Sequence, residues 1–200
     1  IKANNLELQI RYKLLKLALK QLDKKYKHGS MGPDTFDCAG LIWYLYNELF
    51  NINIFEDGIG RSTTTMLMTS VYGTLYKYDE DDHNKDLSTI NNGDILFFHR
   101  QSLKEYEPTA INKYPGHCGI YLGDNNFIHA SRPKKSVIIS SLDDEYWKSV
   151  LVGSKDIISD YQGIIKDGEK IIFSTECVPV TGSWHEDDKV KEVLRKQLNQ

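Results

Sequence analysis

The segment Asp37 to Phe50 (DCAGLIWYLYNELF) constrains this chain most, because its residues are apolar nearly all the way round a helix. Such a helix cannot lie on a surface with one face in water, so the rest of the chain must cover it on most sides. Asp37 stands where an N-cap belongs, which starts the helix at Cys38. Upstream, Leu8, Tyr12, Leu15, Leu19 and Leu22 recur at helical spacing, which predicts an amphipathic helix over 5–22 with its lysines on the other face. Tyr26 to Thr35 (YKHGSMGPDT) reads as a loop between the two helices.

Further along, the period changes. Residues 51–92 are poorly patterned, with a short helix near Thr63 to Val71 and an acidic loop at 79–86. The turn Asn91-Asn92-Gly93-Asp94 then leads into a strand, Ile95 to Phe98, followed by a long polar loop from His99 to Pro115. A hairpin is expected from His117 to Leu122, through a Gly123-Asp124-Asn125-Asn126 turn, to Phe127–Ser131. Val137 to Ser140 and Ser149 to Val152 read as further strands. Helices first and a mostly antiparallel sheet second define the α+β class. Past residue 158 only a strand-like run, Glu169 to Phe173, and a short helix from Asp187 remain. The expected organisation is a domain over 1–158 with an extension, 159–200, packed on it.

Composition narrows the function. An apolar fraction of 40 % and a charged fraction of 26 % over 200 residues exclude a disordered or low-complexity chain. No apolar stretch approaches the ~20 residues needed to span a bilayer, so no transmembrane segment is expected. No secretory leader is visible, since Arg11, Lys13, Lys16 and Lys20 interrupt the first apolar helix. The net charge of −3 conceals a local +6 over residues 1–27, leaving −9 on the remainder. That basic end is either a solvated helix face or a means of attraction to an anionic polymer. No nucleic-acid-binding signature accompanies it. Three cysteines, Cys38, Cys118 and Cys177, leave at least one free thiol.

Cys38 carries the chemical signal. A cysteine in a first helical turn faces unpaired N–H groups and the positive end of the dipole, which stabilise a thiolate. The competing reading is a small apolar filler on a buried helix. A thiolate nucleophile needs a base and a polar group to orient that base, and His117 and His129 on the hairpin are the candidates. Simple hairpin arithmetic sets His129 opposite Ile120 or Tyr121, roughly 10 Å along the strand from His117, so their contact requires twist, a bulge or a different loop. Cys38, His117, Cys118 and His129 could instead be read as zinc ligands. However, consecutive strand residues face opposite ways, which argues against a four-ligand site, so no metal is expected. No GxSxG elbow, HExxH, CxxC or phosphate loop is present.

Three segments in order resemble the NlpC family of papain-like cysteine peptidases. They are Phe36-Asp37-Cys38-Ala39-Gly40-Leu41, Gly93 to Phe98, and His117 to Gly123 with Phe127-Ile128-His129-Ala130. The resemblance covers about residues 8–158. It departs from the family pattern at Ala39, at Cys118 (where a small aliphatic residue is usual) and in the longer His99–Pro115 loop. It implies a papain-like fold, with N-terminal helices packed on a mostly antiparallel sheet and the nucleophile at a helix N-terminus. It implies Cys38 as nucleophile, His117 as base and His129 as the orienting group. Tyr26 is implied beside the oxyanion or substrate, and Arg61 on the cleft rim. The implied activity is cleavage of amide bonds in peptidoglycan stem peptides, of D-glutamyl-diamino acid type, through a thioester and without cofactor. The implied location is secreted or wall-associated, with anionic wall polymers as partners of the basic helix. Two other functions fit the same residues: an amidase, transpeptidase or toxin with another acyl substrate, and a non-catalytic wall-binding module.

Overall fold

The computed structural model describes residues 2–159 apart from 57, 59–61, 80–81, 83–84 and 100–114. The expectations for Arg61, Cys177 and residues 160–200 lie outside this set.

Helix α1 (Lys2–Leu19) forms as its periodicity requires, but with a rotated face. Ile10, Leu14, Leu15 and Ala18 are buried, whereas Leu8 is 52 % exposed. The cause is Arg11, which is only 5 % exposed. Its guanidinium donates to Asp94 Oδ1 (3.2 Å), to both oxygens of Asp156 (3.0 and 2.8 Å) and to the carbonyl of Asn92 (2.8 Å). A buried charge must be paired, and this pairing turns the helix so that the row carrying Arg11 faces inward. Leu8 is therefore no part of the core, and Arg11 no part of the solvated basic face.

Strands β1 (Lys25–Tyr26) and β2 (Thr35–Phe36) bracket the loop expected at 26–35 and pair in parallel. Helix α2 (Cys38–Phe50) follows, capped by the Asp37 carboxylate, which accepts the Gly40 N–H. It buries Ala39, Gly40, Leu41, Ile42, Leu45, Tyr46 and Phe50, the all-round burial that its composition demands. Gly40 has no alternative, because a Cβ there would stand 2.1 Å from the carbonyl oxygen of Ser30. The loop therefore lies directly on the helix. Helix α3 (Thr63–Thr69), capped by Ser62, is the short helix expected there.

The remaining strands are β3 (Thr74–Lys77), β4 (Ile95–Phe98), β5 (His117–Gly123), β6 (Asn126–Ser131), β7 (Ser136–Ser141) and β8 (Leu151–Asp156), with helix α4 (Glu145–Val150) before β8. They form one sheet in the order β2-β1-β7-β6-β5-β4-β8-β3, antiparallel except for β1 with β2. The strand expected at Ser149–Val152 is corrected. Asp144 caps the start of α4 by accepting from the Tyr146 N–H, the helix runs to Val150, and the strand runs from Leu151 to Asp156.

The sheet is covered on both faces, which is why Ile95 to Phe98 is apolar throughout rather than alternating. Ile95 and Phe97 join α1 and α2 in the main core, while Leu96 and Phe98 pack with Tyr121, Phe127, Val150 and Leu151. Lys155 is buried too. Its ammonium donates to the carbonyls of Leu67 (3.0 Å), Met68 (3.2 Å) and Ser70 (2.7 Å), which anchors the end of α3 to β8.

Candidate active site

Three elements meet at the site. At the head of α2, the Asp37 carboxylate accepts the Gly40 N–H (2.7 Å) and, through its other oxygen, the Gly29 N–H (2.8 Å). This fixes both the helix start and the loop before it. Cys38 is half-buried there, its Sγ 3.9 Å from the Thr64 hydroxyl of α3.

On the sheet, β5 and β6 bring the two histidines together. The turn holds Asp124 and Asn125 at positive φ (49° and 60°), a type I′ geometry suited to a two-residue hairpin. Gly123 pairs with Asn126, but the register then shifts so that Tyr121 pairs with Phe127 and Ile120 with Ile128. One extra residue, Leu122, is absorbed as a bulge. Continued one step, this register sets His129 across from Gly119 rather than Ile120. It lies on the same face as His117, and diagonal neighbours on one face are within reach of long side chains. His117 Nε2 lies 2.8 Å from His129 Nδ1, and His129 Nε2 lies 3.0 Å from the Ser140 hydroxyl on β7. Gly119 makes room for this crossing, since a Cβ there would approach Phe127 Cδ2 and the Ile128 carbonyl oxygen to 2.9 Å.

Electrostatics set the state of the buried ring. Burial, together with the neighbouring His117, holds His129 well below the ordinary imidazole range, so it stays neutral. Cys38 is held well below the ordinary thiol range, first by a hydrogen bond from Cys118 and then by hydrogen bonding and charge from His117, against the opposing effect of burial. His117 uses Nε2 towards His129, which leaves Nδ1 for the sulfur. With His117 as imidazolium, its Nε2–H donates to His129 Nδ1. The His129 proton then sits on Nε2 and reaches Ser140, a relay in which every polar atom is used.

Trp147 of α4 walls this relay. Its ring lies 5.7 Å from that of His117 and 5.0 Å from that of His129, with Phe98 and Phe127 each at 5.1 Å. The cleft beside it has a volume of about 420 Å³ and is lined by Tyr26, Cys38, His99, His117, Arg132 and Trp147 among others. Of the residues singled out from sequence, Cys38, His117, His129 and Tyr26 thus meet at one cleft. Ser140, Thr64 and Trp147 went unrecognised. Ser140 could be found only from the β6–β7 register, and Trp147 only from the helix that carries it. Cys118 is fully buried on β5. Among the described residues no group of three or more His, Cys, Asp or Glu side chains is placed to hold a metal ion.

A thiol at a helix start, beside a histidine of a curled antiparallel sheet, defines the papain-like class. The model of the NlpC/P60 family matches residues 23–156, about two thirds of the chain, and the chain belongs to that family. It is 32 % identical over 130 residues to the probable peptidoglycan endopeptidase LytE of Bacillus subtilis (strain 168), covering 65 % of this chain and 29 % of that protein. It is 30 % identical over 142 residues to the murein DD-endopeptidase MepH of Escherichia coli (strain K12), covering 70 % of this chain and 44 % of that one. The chain thus spans less than half the length of these relatives. Among solved structures, NlpC2 from Trichomonas vaginalis is similar with a TM-score of 0.56 at 26 % identity, over 74 % of this chain and 46 % of that one. Among the described residues no helix is long and apolar enough to cross a membrane.

Proposed function

We propose that the chain is a cysteine endopeptidase that cuts an amide bond within peptidoglycan stem peptides, at or beyond the cell wall. The observation that carries this reading is the line from His117 through neutral His129 to Ser140, at a cleft that the Cys38 thiol also lines.

The resting state is a Cys38 thiolate with a His117 imidazolium. The thiolate attacks the amide carbonyl, an S–C bond forms, and the oxyanion is met by the Cys38 backbone N–H, one of the unpaired donors of the first helical turn, with Tyr26 beside it. The C–N bond then breaks as His117 passes its proton to the leaving amine. Water adds to the thioester while His117 takes its proton, the S–C bond breaks, and the acid product leaves the thiolate and imidazolium restored. Arg61 is assigned to the cleft rim on family resemblance alone.

The bond we favour is that between D-glutamate and the following diamino acid. The name of the Escherichia coli relative points instead to a DD-linkage, so the test must separate the two. Purified peptidoglycan is digested with the protein and with Cys38→Ala, and the fragments are identified by mass spectrometry. Muropeptides shortened to the D-glutamyl residue support the proposed bond. Conversion of cross-linked dimers into intact monomers would move the cut to the cross-link. No fragment beyond the Cys38→Ala control would reject the endopeptidase reading.

A further inference from the structure

Three residues beyond His129 the cleft wall carries a cation that the relay does not use. Strand β6 runs from His129 through Ala130 and Ser131 into the turn Arg132-Pro133-Lys134-Lys135, which leads into β7. Arg132 lines the same cleft as Cys38 and His117. The turn is held in place by its own backbone and by β1. The Arg132 carbonyl accepts the Lys135 N–H (3.3 Å) across Pro133, a residue whose fixed φ suits that position of a turn. The Ser131 hydroxyl accepts the Lys134 N–H (3.3 Å), and the Lys135 carbonyl accepts the N–H of Tyr26 (2.9 Å), another residue of the cleft.

The guanidinium itself is committed to nothing. Arg132 is exposed, and among the described residues its side chain makes no ion pair and no hydrogen bond. The lining of the cleft includes Tyr26, His99, His117 and Arg132 but no carboxylate among the described residues. Asp37, next to the nucleophile, is occupied by the Gly40 and Gly29 N–H groups, and Asp143, Asp144 and Glu145 ahead of Trp147 stand outside the lining. Lys134 and Lys135, both exposed on the same turn, add to the positive field there. An exposed arginine is stable in water without a partner, so its place is what matters. A planar five-donor fork on the wall of a cleft without acids is suited to a carboxylate of the bound substrate.

The substrate has such groups. Glutamate has two carboxyls, and a bond to the following diamino acid uses one of them, so the other is free. A diamino acid with a second carboxyl, and the peptide's C-terminus, bring further ones. We propose that Arg132 is a specificity-determining residue that binds a free carboxylate of the stem peptide and so seats the scissile amide before Cys38. The inference rests on the endopeptidase reading and deepens it.

The test uses short soluble stem peptides in which each free carboxyl is converted in turn to its amide, cleaved by wild type, Arg132→Lys and Arg132→Gln. One amidation should lower wild-type kcat/KM by about tenfold, the loss of a hydrogen bond to a charged group at a partly solvated site, and it names the carboxylate that is bound. Arg132→Gln should lose about the same factor on the all-acid peptide, chiefly through KM, and little more on that amide, because the interaction is already gone. Arg132→Lys, which keeps the charge without the fork, should fall between. Arg132→Gln slowed equally on acid and amide peptides would overturn the proposal, as would a wild type indifferent to every amidation. A wild type that cleaves none of the peptides, and releases no more from whole peptidoglycan than Cys38→Ala does, would remove the endopeptidase reading and this inference with it.

Discussion

At the scale of single residues, the roles separate by what each ring does with protons. His117 exchanges a proton with substrate and water, so His117→Ala should lower kcat/KM on a soluble stem peptide by about 10²–10⁴-fold. His129 never titrates in the working range because burial keeps it neutral, so it only aims the first ring. His129→Ala should leave a measurable remainder well above the His117→Ala level. Ser140→Ala, which removes one neutral hydrogen bond, should cost about fivefold. A Ser140→Ala loss as large as that of His117→Ala would show that the relay has been read in the wrong order. Cys38 was legible in sequence because Asp37 precedes an all-apolar helix, and a cap followed by a buried face leaves one place for the helix to begin. The contact between the histidines was not legible. Hairpin arithmetic without the bulge at Leu122 puts His129 on the wrong side of its partner strand, and a one-residue shift exchanges the faces. Nothing in the string GIYLGDNN announces that shift.

At the scale of elements, α1 shows how far periodicity reaches. Leucine spacing identified the helix, yet its buried row was set by Arg11, and a charge that goes inward cannot be told from one that stays in water until Asp94 and Asp156 are in place. The same folding of distant segments hid β3 and the boundary between α4 and β8. Asp144 fixes only where α4 begins, and the strand that follows it is placed by its insertion between β4 and β3. With Arg11 withdrawn, the basic face of α1 is carried by Lys13, half-buried, and Lys16, exposed, with the exposed Lys20 just past the end of the helix. If this face attracts an anionic wall polymer, sedimentation with whole walls should weaken steeply from low salt to ~0.15 M, where the Debye length is ~8 Å. The double variant Lys16→Glu, Lys20→Glu should bind poorly even at low salt. Cleavage of a short soluble stem peptide should respond to neither change. Wall binding that ignores both salt and charge reversal would return the lysines to the role of a solvated face.

At the scale of the whole molecule, one buried ionic cluster joins the first helix to the far end of the chain's described part. Arg11 of α1 bonds Asp94 ahead of β4 and Asp156 at the end of β8, and Ser159 donates to Asp156 Oδ2 at 2.6 Å. The two carboxylates respond to pH in opposite directions. Burial works against ionisation of Asp156, but Arg11 and Ser159 outweigh it and hold this carboxyl below its usual range. Its stabilising contribution is therefore present above about pH 4 and fades only below that. Asp94 is only 1 % exposed, and burial with the adjacent Asp156 charge raises it to about 7, despite the Asn91 N–H and Arg11. A carboxyl raised on folding binds its proton more tightly in the native state, so its contribution is complete below about pH 4 and is lost as pH rises through about 7. Between these values Asp94 governs the slope. Thermal unfolding of wild type and Asp94→Asn followed from pH 4 to 8 should show the wild type losing stability relative to the variant, by on the order of a few kcal/mol over the window. Asparagine keeps the size of the side chain and an oxygen for Arg11, so the comparison isolates the ionisation. Parallel melting curves at every pH would mean that the Arg11 charge neutralises Asp94 fully, and that the cluster holds α1 to the sheet with no penalty at neutral pH.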